Sequence, residues 1–174
     1  MKKLVVIVMM LVAGTAGAAD KPGAEILGRW VGGTWPLEGK MVDSDFSKAA
    51  TLKGLSTCNW SPEHVFVVCD EIVYVNGEPE RNLGIYSYDK KSDTYHYVEI
   101  TPEGRRPALN ELVISADGNR WEYRGSSEVK GEKVQFRTIN EYRSSDSIEW
   151  WSEYSKDQGQ HWTKMGGGSE KRER

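Results

Sequence analysis

Histidine occurs three times in this chain of 174 residues, as His64, His96 and His161, and no two stand at ligand spacing. A zinc site needs about four converging ligands, so no metal is expected, and no other cofactor is indicated. No Gly-x-Ser-x-Gly elbow, phosphate-binding loop or dinucleotide fingerprint occurs, and no catalytic residue can be named. Basic side chains do not gather: 23 Lys and Arg face 26 Asp and Glu for a net charge of −3. A nucleic-acid partner or an anionic membrane surface is therefore not expected.

Long apolar runs are confined to the N-terminus. Lys2-Lys3, the run Leu4 to Val12 and the small residues Ala13 to Ala19 have the order of a secretory signal peptide, cut after Ala18 or Ala19 and too short for a permanent anchor. Stable membrane insertion is not expected. Loss of Lys2 and Lys3 makes the mature protein more acidic than the precursor. About 155 residues then remain, enough for one compact domain.

Cysteine is also sparse, and both copies lie in one stretch, Leu55 to Tyr74. It reads as two strands around Pro62-Glu63-His64-Val65. Setting Asn59 opposite Val68 and Trp60 opposite Val67 brings Cys58 opposite Cys69 around a loop of about four residues. In a chain exported to the periplasm or outside the cell, a single Cys58–Cys69 disulfide is expected, because an oxidising compartment lets it persist. Two buried free thiols are the alternative. A redox-active pair lacks the Cys-x-x-Cys spacing and the helix start that would activate a thiol.

The remaining chain repeats short β-rich runs with polar punctuation. Trp30 and Trp35 with Val31 suggest a curved first strand ended by Pro36, while 37–50 is left open between loop, helix and strand. After the Asn76-Gly77 turn signal come 82–88, 94–101, 108–115, 120–125, 133–143, 147–155 and 161–165. Turns this close, without a helical period, predict an all-β meander. Its two edges are best removed by closure, giving a single antiparallel up-and-down β-barrel of about nine or ten strands over 20–165; a sandwich is the alternative. The glycine-rich, charged stretch 166–174 is expected to be a disordered tail.

Alternation assigns the faces. Val134, Phe136, Thr138, Asn140 and Tyr142 point inward, as do Trp121, Tyr123, Ile148, Trp150, Ser152 and Tyr154. Arg120, Glu122, Arg124, Glu149, Glu153 and Trp151 point outward, so the two glutamates of 147–155 do not form a catalytic pair. Such an interior, with Asn110 added, is aromatic with scattered neutral polar groups. It reads either as a self-filled core or as a ligand cavity, since sealed polar atoms would each need a partner.

Gly28-Arg29-Trp30 resembles the Gly-x-Trp start of the calycins, the lipocalin and fatty-acid-binding barrels, in which the tryptophan closes the barrel floor. More of the chain resembles a secreted bacterial family of similar barrel type, domain-of-unknown-function family fifteen-seventy-nine. The residues are Leu27 to Gly32, Cys58-Asn59-Trp60 with Val67-Val68-Cys69, Ser87-Tyr88-Asp89 with Tyr95, and Ser115-Ala116-Asp117-Gly118 leading to Trp121. The Arg-x-Tyr that holds a fatty-acid carboxylate in cytosolic lipid-binding barrels is missing from the late strands. The Leu-Gly-x-Trp-x-Gly opening is also similar to nitrobindin-like barrels, where a haem would take His161; a lone histidine near a turn reads as a solvated side chain instead. Ser155, Asp157, Gly159 and Trp162 resemble one sialidase-type propeller repeat, but a single copy reads as a hairpin with Asp157 and Gly159 in its bend.

The favoured reading is an exported barrel of calycin type that binds a small, mostly apolar ligand without catalysis, contacted by Trp30, Trp121, Tyr123, Asn140, Tyr142 and Trp150. A structural or protein-interaction module of the cell envelope, working through Trp151 or 37–50, is the second. An isomerase or hydrolase using the cavity is the third. No protein partner can be named.

Overall fold

The computed structural model describes residues 23–102, 104–106 and 111–174. The signal sequence assigned to 1–19 and the inward Asn110 lie outside these residues. Among the described residues, a 3-10 helix, Ala24–Trp30, is followed by eleven strands. These are β1 (Thr34–Met41), β2 (Ala50–Trp60), β3 (Phe66–Val75), β4 (Glu78–Asp89), β5 (Thr94–Thr101), β6 (Gly104–Arg106), β7 (Glu111–Ile114), β8 (Arg120–Val129), β9 (Glu132–Ser144), β10 (Ser147–Ser155) and β11 (Thr163–Lys171).

Every pairing between strands is antiparallel, and β1 meets β11 from Leu37↔Glu170 to Met41↔Gly166. The ring therefore closes as a meander of ten strands. The short β6 and β7 lie one after the other along the same edge of β5, with Glu99↔Arg106 at one end and Tyr95↔Leu112 at the other. Closure leaves no long unpaired edge among the described residues, the liability of an open meander.

The cysteine hairpin takes the expected register. Asn59 faces Val68, Trp60 faces Val67, and Cys58 faces Cys69 with the sulfurs bonded at 2.01 Å. The Ser61 N–H donates to Phe66 O, leaving 62–65 as the loop. The bridge joins positions 11 residues apart, so restricting the unfolded chain contributes about 3 kcal/mol. Replacing both cysteines by serine is expected to lower the unfolding free energy measured in urea by that amount, with a lower midpoint; an unchanged unfolding free energy would show that the bridge adds nothing.

Two expectations are corrected. The first strand does not run through Trp30: Gly28, Arg29 and Trp30 belong to the 3-10 helix, and Gly32 and Gly33, at φ of 85° and 80°, turn the chain into β1. Pro36 sits inside β1 rather than ending it. It pairs with Leu55 of β2, while its missing N–H coincides with a break in the β1–β11 ladder between Thr34↔Glu173 and Leu37↔Glu170.

The stretch 166–174 is not a disordered tail, and the barrel does not end at 165. Residues 163–171 form the strand that closes the ring between β10 and β1. Glycine is required there by close approach. A Cβ on Gly168 would stand 2.0 Å from the Glu38 carbonyl oxygen, and one on Gly39 would stand 2.5 Å from Cζ2 of Trp150. The open segment 37–50 divides into the second half of β1 and a loop that lays Phe46 against Tyr154 and Phe136, ring centroids 4.6 and 5.4 Å apart.

Candidate functional site

The 3-10 helix closes one end of the barrel. Leu27 and Trp30 are buried on its inner side, and Trp30 packs against Trp35, Tyr86, Trp121 and Tyr142 at centroid distances of 5.2 to 6.4 Å. Polar contacts lock this floor. Trp35 Nε1 donates to Trp30 O at 3.0 Å and Trp121 Nε1 to Gly118 O at 3.0 Å. Arg29 donates to Gly118 O and to Asn119 Oδ1 and lies over the Tyr142 ring. Arg172, from the end of β11, donates to the Arg29 carbonyl and covers Trp35. Floor and last strand are thus tied together.

Above the floor lies a cavity of about 230 Å³. Leu37, Leu52, Val73, Trp30 and Trp150 give it apolar walls; Tyr86, Tyr97 and Tyr123 form one side; Thr138, Asn140 and Ser152 supply neutral polar atoms. Much of this polarity is spent internally. Tyr86 and Tyr123 hydroxyls lie 3.3 Å apart, and Thr138 and Ser152 hydroxyls 2.9 Å apart. Burial pushes the Tyr86 and Tyr123 hydroxyls far above the ordinary phenol range, so both stay protonated.

Three carboxyl groups, Glu71, Glu99 and Glu170, also line this space. Burial, followed by the charges of Glu99 and Asp70, pushes Glu71 up to about 7. Burial, followed by the charge of Glu71, pushes Glu170 up to about 8. Glu170 is 5% exposed, and its Oε2 accepts no hydrogen bond from any described residue; buried Trp150 Nε1 likewise donates to none. No Lys, Arg or His is among the described residues that line the cavity.

Of the six residues expected to contact a ligand, Trp30, Tyr123, Asn140 and Trp150 line the cavity. Trp121, 0% exposed, and Tyr142 do not. They lie one layer lower, packed 5.8 Å apart in the floor, because the 3-10 helix occupies the barrel end they face. Sequence reasoning missed the carboxylates. Glu71 is two residues beyond Cys69 on the same strand, so the disulfide parity already turned it inward; Glu170 carried no signal once its strand was read as a tail.

The outer face is more covered than alternation implied. Glu122 is buried among Arg120, Arg124 and Arg137, which hold its carboxyl below the usual range against the opposing effect of burial. Glu153 pairs with Arg137 at 2.7 Å instead of facing solvent. Trp151 does point outward but is half-buried, with the Arg120 guanidinium 5.5 Å from its ring. His161 is 87% exposed and bonded to Asp157 Oδ2 at 2.6 Å, away from the cavity. That geometry does not fit a haem held in the barrel. Asp157 and Gly159 form the expected bend, with the Ser155 hydroxyl donating to Asp157 and accepting from the Gly159 N–H.

A closed ten-strand antiparallel ring, plugged at one end by a tryptophan-bearing 3-10 helix and hollow above it, is a β-barrel of calycin or lipocalin type. Solved structures of similar fold include Rv2717c from M. tuberculosis, with a TM-score of 0.58 and 12% identity over 89% of this chain and 100% of that one. The S-type phycobiliprotein lyase CPES from Guillardia theta superposes with a TM-score of 0.60 and 11% identity, covering 86% and 92%. At such identities the likeness concerns the fold. No family model and no curated protein matches the sequence.

Proposed function

We propose that the protein is an exported barrel that reversibly binds a small, mostly apolar molecule in its interior, without catalysis, as a member of the bacterial barrel family that its motifs resemble. The observation that carries this reading is the cavity of about 230 Å³ above a locked aromatic floor. A self-filled barrel would have closed this space with side chains. Here much of the wall is apolar while Glu170 and the Trp150 N–H keep unsaturated polar capacity beside the Asn140 amide, the usual composition of a ligand pocket. Placement in the periplasm or outside the cell is supported by the signal-like first nineteen residues and by the Cys58–Cys69 bridge, since disulfides persist in oxidising compartments.

Native mass spectrometry of the protein isolated from its own cell envelope tests the reading. A discrete mass above that of the polypeptide is expected, and Thr138→Trp, which fills the cavity from β9, is expected to abolish it. A bare polypeptide mass, together with no uptake of a neutral polarity-sensitive dye, would refute the reading.

A further inference from the structure

Among the described residues, the cavity lining carries carboxyl groups and no basic side chain. Glu71 comes from β3 and Glu170 from β11, and no cationic side chain among the described residues reaches the space they share. Of the neutral polar groups, the Tyr86 and Tyr123 hydroxyls engage each other, as do those of Thr138 and Ser152, and the buried Trp150 N–H reaches no acceptor among the described residues. Glu170 Oε2, in a residue 95% removed from solvent, is left without a donor. We propose that the ligand carries a protonated nitrogen, an ammonium or amidinium group on a small apolar frame, and that the carboxylates of Glu71 and Glu170 hold it. This inference rests on the ligand-binding reading above and specifies the chemistry of that ligand.

The charge is organic rather than metallic: among the described residues no three Asp, Glu, His or Cys side chains converge on a metal position. The walls suit an organic cation as well. Trp30, Tyr97, Tyr123 and Trp150 are among the cavity's lining residues, and aromatic rings attract an ammonium group most strongly when water is excluded. The volume sets the size. At about 230 Å³ the space lies below the roughly 300–1,000 Å³ of drug-sized pockets, leaving room for one or two rings and a short aminoalkyl arm.

Binding of a cation moves a proton. Without ligand, Glu170 titrates near 8 and Glu71 near 7, so at neutral pH the pair retains at least part of a proton. The groups facing it are Glu99 and Tyr97 from β5, Tyr86 from β4, Tyr123 from β8 and Tyr142 from β9, while Asp70 beside Glu71 is paired outside with Arg81. Arg29 and Arg172 lie in the floor, outside the cavity lining: Arg29 donates to Gly118 and Asn119, and Arg172 donates to the Arg29 carbonyl and pairs with Asp146. An entering ammonium ion replaces the proton as the positive charge, the proton leaves to solvent, and the nitrogen keeps its own. Affinity for the cation accordingly falls as the medium is acidified below 7.

Calorimetry with three probes of one size, naphthylmethylamine, naphthylmethanol and naphthoate, tests this in buffers of different ionisation enthalpy. The amine is expected to bind at least about tenfold more tightly than the alcohol, to release up to about one proton, and to weaken at pH 5.5, with naphthoate weakest. Glu170→Gln is expected to erase the amine preference over the alcohol and most of the proton release. Alcohol or naphthoate binding as tightly as the amine would overturn the inference and leave the ligand-binding reading standing. Failure of all three to bind, with tryptophan fluorescence unmoved, would overturn both.

Discussion

Glu170→Gln is expected to raise the melting temperature of the ligand-free protein by roughly 6–20 °C at pH 9 and to leave it almost unchanged at pH 4.5. Glu170 titrates near 8 in the fold against 4.5 in a flexible chain. Well below 4.5 both states hold the proton, and the side chain discriminates little between them. Between 4.5 and 8 the unfolded chain gives up a proton that the fold retains, so stability drains away as pH rises through this window. Above 8 the buried group is ionised in both states and the full deficit, on the order of 3–5 kcal/mol, is reached. Glutamine has the same shape and no proton to lose. Glu71, raised to about 7 for the same reason, adds a second loss with the same sign, so the wild type itself melts lower at pH 9 than at pH 5. Thermal scans at the two pH values decide the matter: an equal difference between variant and wild type at both would show that Glu170 is not a desolvated acid.

The other large effect is steric. Gly168→Ala is expected to destabilise the protein by at least about 3 kcal/mol, or to prevent closure altogether. The added methyl meets the Glu38 carbonyl oxygen at 2.0 Å and the Gly39 Cα at 2.6 Å. These are backbone atoms of β1 and cannot swing aside as a side chain would. The same crossing carries the Trp150 indole against Gly39, so β1 cannot retreat inward either. Urea unfolding followed by tryptophan fluorescence measures the loss; Lys164→Ala, on the exposed part of β11, serves as the control. A Gly168→Ala midpoint within experimental error of wild type would contradict the close approach of β1 and β11.

Much of the barrel was legible because strands with side chains reveal their parity. Thr94–Thr101 and Ser147–Ser155 begin and end where alternation placed them, and the cysteine register follows from hairpin geometry alone. The closing strand was illegible for the opposite reason. Gly166, Gly167 and Gly168 have no side chains to alternate, so a run chosen for close backbone contact reads as low complexity. The first strand failed because tryptophan and valine favour strand locally, whereas the paired positive-φ glycines after Val31 decide where extension begins. In the site, Tyr123, Asn140 and Trp150 were placed by period, Tyr86 and Tyr97 were assigned no face, and charge was taken as a sign of the exterior. Glu71 breaks that rule, and only the position of Cys69 two residues earlier could have exposed it.

Because β1 finds one of its two neighbours in β11, Leu37 must wait for Glu170 before its second edge is covered. A chain emerging N-terminus first, at a ribosome or through an export channel, can build hairpins one after another but has no ring until its final strand arrives. Assembly is therefore gated by completion of synthesis or transport. A polypeptide cut short before residue 163 would present two sticky borders to any chaperone or protease that meets it.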